Sequence, residues 1–269
     1  MQWPALASLV MSPVHCLFGL HIVRRGVIFI DLAVAQMAAL GMAIAHAQGH
    51  DLHSATTYWY SLGFALGSAL LIALSRFRLG KVPHEAIIGI MFVLASALGV
   101  VVLDRTEHGV EELRDILTGS ILFVQQSDVS HTATIYGVLL AIMVVMWRAT
   151  SAVTLHEDSA PVGWRRVAVD FLFYGLLAFV VASSVKIAGV LVVFTWLVMP
   201  PVCAFLWLDS MRRAVWVAIP LSLVGTLAGL WISFKWDWPS GPAIVVVLGA
   251  LVTLFYLAKL FVPRSKELA

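Results

Sequence analysis

Two polar residues stand inside an apolar segment where ionisable chemistry is rare. Asp31 and Gln36 lie in a run that begins just after Arg24-Arg25 and continues through Leu32-Ala33-Val34-Ala35-Gln36-Met37-Ala38-Ala39-Leu40-Gly41. A carboxylate in hydrocarbon is costly, so it marks a place where an ion or proton is handled. The surrounding alanines and glycine favour tight packing against other helices over exposure to lipid. Five residues separate the pair, a rotation of about 500°, so the two side chains point about 140° apart. They do not make a plain two-ligand site on one helix face. His15 and Cys16 lie at similar depth in the preceding apolar run. They are either soft ligands beside Gln36 or a satisfied interior histidine with an inert buried cysteine.

A second group of candidates lies in the loops opposite the arginines. Asp51, Asp104, Glu107, Glu111, Glu112, Asp115, Asp128 and Asp237 share that side with His46, His50, His53, His108 and His131. Such a surface concentrates cations through its field. Imidazole with carboxylate is also a ligand set for zinc and related metals. His108, Glu111, Glu112, His50 and His53 are the metal-ligand candidates, and the plain alternative is a solvated polar loop. At the other side His21, Glu85 and Asp170 cluster near span ends. They form either an inner gate or ordinary helix-end solvation. The second is expected for Glu85 and Asp170, because acids in a first helical turn are favourable.

The elements that position these residues are membrane spans. The 269 residues are 61% hydrophobic and only 12% charged, and mean hydropathy is +0.96. Soluble domains carry about 25% charged residues, so a soluble globular protein is excluded. Alternating short strands are missing, which disfavours a barrel. The pattern predicts an all-α, polytopic integral membrane protein of about nine transmembrane helices. They are expected at 2–23, 27–47, 57–75, 84–103, 131–147, 167–185, 187–208, 214–234 and 241–261. The weakest boundary is Lys186-Ile187-Ala188-Gly189, where a tight turn or a broken helix would fit.

Thirteen cations, among them Arg24, Arg25, Arg148, Arg165, Arg212 and Lys259, fall on one side of this arrangement; Arg105, Arg114, Lys186 and Lys235 fall on the other. The positive-inside rule then puts the N-terminus outside and the C-terminus in the cytoplasm. The first span has its arginines after it and no cationic segment before it, so it is expected to be retained, not cleaved. Cys16 and Cys203 both fall in spans, which gives no basis for a disulfide. The chain reads as one transmembrane domain, 1–269. Its outer segment 104–130 contains an apolar stretch, 116–124, too short to span and expected as a short surface or re-entrant helix. Its inner segment 148–166 is the longest loop on the cationic side.

No GxxxxGK[ST] loop, HExxH pair or hydrolytic constellation occurs in the chain, so it is not expected to bind ATP or to be an enzyme on its own. Five collinear blocks instead resemble the permeases of metal-ion ABC importers. The first is Gly19-Leu20-His21-Ile22-Val23-Arg24-Arg25 followed by Leu32 to Gly41. The others are Glu85-Ala86-Ile87-Ile88-Gly89-Ile90, Leu117-Thr118-Gly119-Ser120-Ile121-Leu122, Val185-Lys186-Ile187-Ala188-Gly189-Val190 with Leu197-Val198-Met199-Pro200, and Trp238-Pro239-Ser240-Gly241-Pro242. The resemblance implies an all-helical permease in the cell membrane. It would work as a homodimer with cytoplasmic ATP-binding subunits and an extracytoplasmic metal-binding protein, and with no nucleic-acid partner or resident cofactor.

The expected cargo is a divalent metal, zinc first and manganese or iron next. The resemblance also makes 148–166 the coupling loop to the ATPase, with Asp158, Ala160 and Gly163 at its core, and gives the segment around His108 a role in metal hand-off. One departure bears on the pathway. Many family members carry a histidine where this chain has Gln36 and an aspartate where it has Leu32. An amide is a weak ligand beside imidazole, so tight coordination by that pair is not expected. The rival reading is an ion-coupled secondary transporter using Asp31 as its coupling carboxylate.

Overall fold

The computed structural model describes residues 2–52, 54–78, 83–104, 106, 109–119, 121–155 and 163–261. Among the described residues there is no strand. The helices are α1 (Gln2–Arg24), α2 (Ile30–Ala47), α3 (Ala55–Arg78), α4 (His84–Leu103), α5 (Gly109–Thr118), α6 (Gln126–Val145), α7 (Trp147–Leu155), α8 (Trp164–Trp207), α9 (Met211–Trp236) and α10 (Ser240–Phe261). Eight of them are long and apolar enough to cross a membrane.

One of the eight crosses twice. α8 has 44 residues, about 66 Å of helix, where a hydrocarbon core is about 30 Å thick. Near its start Asp170 pairs with Arg25, and just past its end the Asp209 carbonyl accepts from Arg24. Both ends therefore lie beside the same two arginines, and the chain must reverse between them. It does so at Gly189, whose φ of 79° and ψ of 159° are not helical. With this reversal the number of crossings is nine, and the break falls at the weakest boundary in the sequence pattern.

α1, α2 and α8 form the centre; α3 and α4 flank α2, and α9 and α10 flank α8. Lipid offers apolar side chains as good a solvent as a neighbouring helix does, so close backbone approach drives this packing. Gly19 is the clearest case, since a Cβ there would lie 1.9 Å from the Leu197 carbonyl oxygen. Ala33, Ala35, Ala38 and Ala43 of α2 are likewise buried, as Gly41 is. The outer helices present Ile90, Val93, Leu94, Leu254 and Leu260 outward instead.

Two connections differ from expectation. The short helix expected at 116–124 lies upstream, at α5, and a single 3-10 turn follows at Ile121–Phe123. Gly119 ends α5 with φ +66° and packs against the backbone of Ala188 and Gly189. Ile116, Ile121 and Val124 are buried around it. Hydropathy marked the residues that anchor the segment, while the amphipathic run before them forms the helix. In the expected loop 148–166, the residues up to Leu155 are helical as α7.

Candidate functional site

Asp31 is the second residue of α2, whose N-cap is Phe29. It is 1% exposed, and neither carboxylate oxygen has a hydrogen-bond partner of good geometry. The polar groups nearest it are the N–H groups of its own turn, at Asp31 and Leu32. Those N–H groups carry the positive end of the helix dipole, which offsets part of the cost of burial. Gln36 is half-buried on another flank of the helix. Gly41 sets the depth of α2 in the bundle, because a Cβ there would come within 2.6 Å of the Tyr60 carbonyl oxygen of α3.

His15 and Cys16 are placed differently. Both are 0% exposed. The His15 Nδ1–H donates to the Met11 carbonyl at 2.7 Å, and Nε2 meets Ser184 Oγ at 3.0 Å. Both ring nitrogens thus have a protein group within hydrogen-bond distance. The ring sits between Tyr136 and Trp196, at centroid distances of 5.9 and 5.4 Å. The Cys16 thiol faces the carbonyls of Trp196 and Ala218 at 3.5 and 3.7 Å. His15 thereby meets α8, and Cys16 meets α8 and α9.

At the end of the bundle that carries His46 and His50, the ligand candidates are dispersed. The His50 carbonyl accepts from His46 Nδ1 at 3.0 Å, and its half-buried ring lies 6.4 Å from that of Tyr60. Glu111 is exposed on α5. His53 and His108 lie outside the described residues, as does the side chain of Glu112. Among the described residues no group of three or more His, Cys, Asp or Glu side chains is placed to hold a metal.

Two residues of that acidic, histidine-bearing face, outside the five metal-ligand candidates, line a cavity here. Asp128 and His131 face a space of about 740 Å³ together with Trp59, Gln125 and Lys186. Their i, i+3 spacing at the start of α6 is the signal that a sequence reading has available. Asp128 also accepts from the Gln125 N–H at 3.0 Å, so it caps the helix. A second cavity of about 660 Å³ shares Lys186 and is bounded by Gly119, Asp237 and Trp238.

The arginine end holds a correction. Asp170 is not solvated: it forms a 3.0 Å ion pair with Arg25, and the two side chains are 2% and 1% exposed. Arg166 approaches the other carboxylate oxygen at 4.0 Å. His21 joins the same group through Thr154 Oγ1 at 3.1 Å. Glu85 is exposed, as expected. Gly163 is the N-cap of α8 with φ 66°, and Asp158 and Ala160 lie outside the described residues.

The chain is 28% identical over 251 residues to a probable iron transport system membrane protein of Haemophilus influenzae, covering 91% of this chain and 83% of that one. It is 26% identical over 269 residues to the manganese transport system membrane protein MntC of Halalkalibacterium halodurans, covering 97% and 87%. Its fold superposes on a chain of PsaBC from Streptococcus pneumoniae in complex with Fab, with a TM-score of 0.76 at 20% identity, over 99% of this chain and 92% of that one. Residues 1–262 match the ABC 3 transport family, and the chain belongs to that family.

Proposed function

We propose that this chain is the membrane-spanning permease subunit of an ABC importer for a divalent transition metal, with manganese or iron ahead of zinc. The observation that carries the reading is Asp31, a carboxylate 1% exposed on the central helix of the bundle, with no side-chain partner among the described residues and only the N–H groups of its own turn beside it. A chain selected only for stability would not keep such a group there. The relatives named for iron and manganese transport support the cargo class. The donor chemistry points the same way, since carboxylate and amide oxygens suit manganese while imidazole suits zinc. Asp31 and Gln36 line the pathway in this reading, while His15 and Cys16 hold α1 against α8 and α9.

The end that carries Arg24, Arg25 and Lys259 is cytoplasmic by the positive-inside rule, which leaves the N-terminus outside. ATP is hydrolysed by a separate cytoplasmic subunit contacting 148–166 near Asp158, Ala160 and Gly163. An extracytoplasmic binding protein delivers metal to the face that carries Glu111, Glu112, His50, His53 and His108, and two copies of the chain enclose the pathway. Metal uptake by cells tests this reading. Asp31→Ala is expected to lower manganese uptake about tenfold, and Gln36→His to make zinc a stronger competitor. Unchanged rate and metal preference in both variants would overturn it.

A further inference from the structure

Arg25 follows directly on α1, in the turn into α2, and each of its three guanidinium nitrogens donates a hydrogen bond. Nη1 donates to Asp170 Oδ1 at 3.0 Å, and Nε to Thr154 Oγ1 at 3.0 Å. Nη2 reaches the Thr150 carbonyl at 3.5 Å, and the plane lies 4.2 Å from the centroid of Phe173. Thr154 Oγ1 also accepts from His21 Nδ1 and donates to the Thr150 carbonyl at 2.7 Å. One planar cation thus joins three parts of the chain: the α1–α2 turn, α7 and α8.

The three parts have different duties. α7 is nine residues long and leads directly into 156–162. α2 carries Asp31, six residues beyond Arg25. Apolar helix surfaces slide over one another with little directional preference. A forked, charge-assisted set of hydrogen bonds holds one geometry and resists being pulled apart in a low-dielectric site. A displacement of α7 must therefore carry the α1–α2 turn with it or break the hydrogen bonds that Thr154 and Thr150 accept from Arg25, while the ion pair with Asp170 ties the same guanidinium to α8.

We propose that Arg25 and Thr154 are positioning residues that transmit movement of α7 to α2, tying ATP-driven displacement at the cytoplasmic end to the surroundings of Asp31. The proposal rests on the permease reading above. It differs from a simple structural staple because it predicts loss of coupling without loss of assembly.

The test uses proteoliposomes holding the permease with its ATPase partner and binding protein, supplied with radioactive manganese. The readout is manganese taken up per ATP hydrolysed. Thr154→Val keeps the side-chain volume but loses the hydroxyl, Arg25→Lys keeps the charge but loses the fork, and Thr154→Ser restores the hydroxyl. Hydrogen bonds to charged groups are strong enough that losing one shifts an equilibrium about tenfold or more. Thr154→Val and Arg25→Lys are therefore expected to lower the uptake-to-hydrolysis ratio about tenfold, with co-elution of the subunits retained and the ratio kept by Thr154→Ser. An unchanged ratio in Thr154→Val, or a fall that tracks loss of assembly and is not rescued by serine, overturns the proposal. No manganese uptake by the parent complex would instead strike the permease reading itself.

Discussion

Replacing Asp31 by asparagine separates the stability of this protein from its function. An aspartate costs about 3 kcal/mol at the centre of a membrane helix on insertion scales, which is an upper bound for one at a helix end. Asp31 sits in the first turn of α2, where the helix dipole returns up to about 1 kcal/mol. At most about 2 kcal/mol of penalty remains, and no hydrogen bond of good geometry reaches either carboxylate oxygen to lower it. A buried asparagine without partners retains about 1 kcal/mol of desolvation cost. The net expectation is a gain of up to about 1 kcal/mol, a rise of up to about 2–4 °C in melting temperature for a chain of this size. The ten tryptophans supply a fluorescence signal for the melt in detergent. Manganese uptake by the same variant should fall, because the amide carries no charge to offset that of the ion. A variant that melts at or below the parent temperature and transports normally would refute the reasoning, showing that the carboxylate is satisfied where it stands and serves packing.

Two further perturbations probe the scaffold. Arg25→Ala leaves Asp170 buried without its partner and should cost about 3–5 kcal/mol; in a thermal melt, the double change Arg25→Met with Asp170→Leu should recover most of that loss. Gly119→Ala places a Cβ within 2.2 Å of the Ala188 carbonyl carbon at a φ of +66°. It should lower the yield of folded protein on size exclusion, whereas Gly63→Ala, where a Cβ meets nothing within 4 Å, should not.

The features legible in the sequence are those set by local composition. Span positions follow from runs of apolar residues, and the break at Lys186 to Gly189 follows from a polar residue and a glycine interrupting such a run. Both are properties of neighbouring residues, so no tertiary information is needed. The prominence of Asp31 was legible for the same reason: a charge inside an apolar run is visible wherever the run ends up.

Three-dimensional packing decided the rest. Nothing local to Arg25 or Asp170 shows that residues 145 apart form a buried pair, so Asp170 reads from sequence as a solvated helix-end acid. Nothing local to His15 shows that Ser184, far along the chain, lies against one of its nitrogens while Met11 lies against the other. The helix near 116–124 was displaced because hydropathy reports which side chains anchor, while Gly119 and its contact with α8 report where the helix stops. The neighbours that satisfy or orphan a polar group come from distant parts of the chain. Asp31 itself shows the division: the sequence shows an acid in an apolar run, and only the assembled bundle leaves that acid buried with no side chain to pair it.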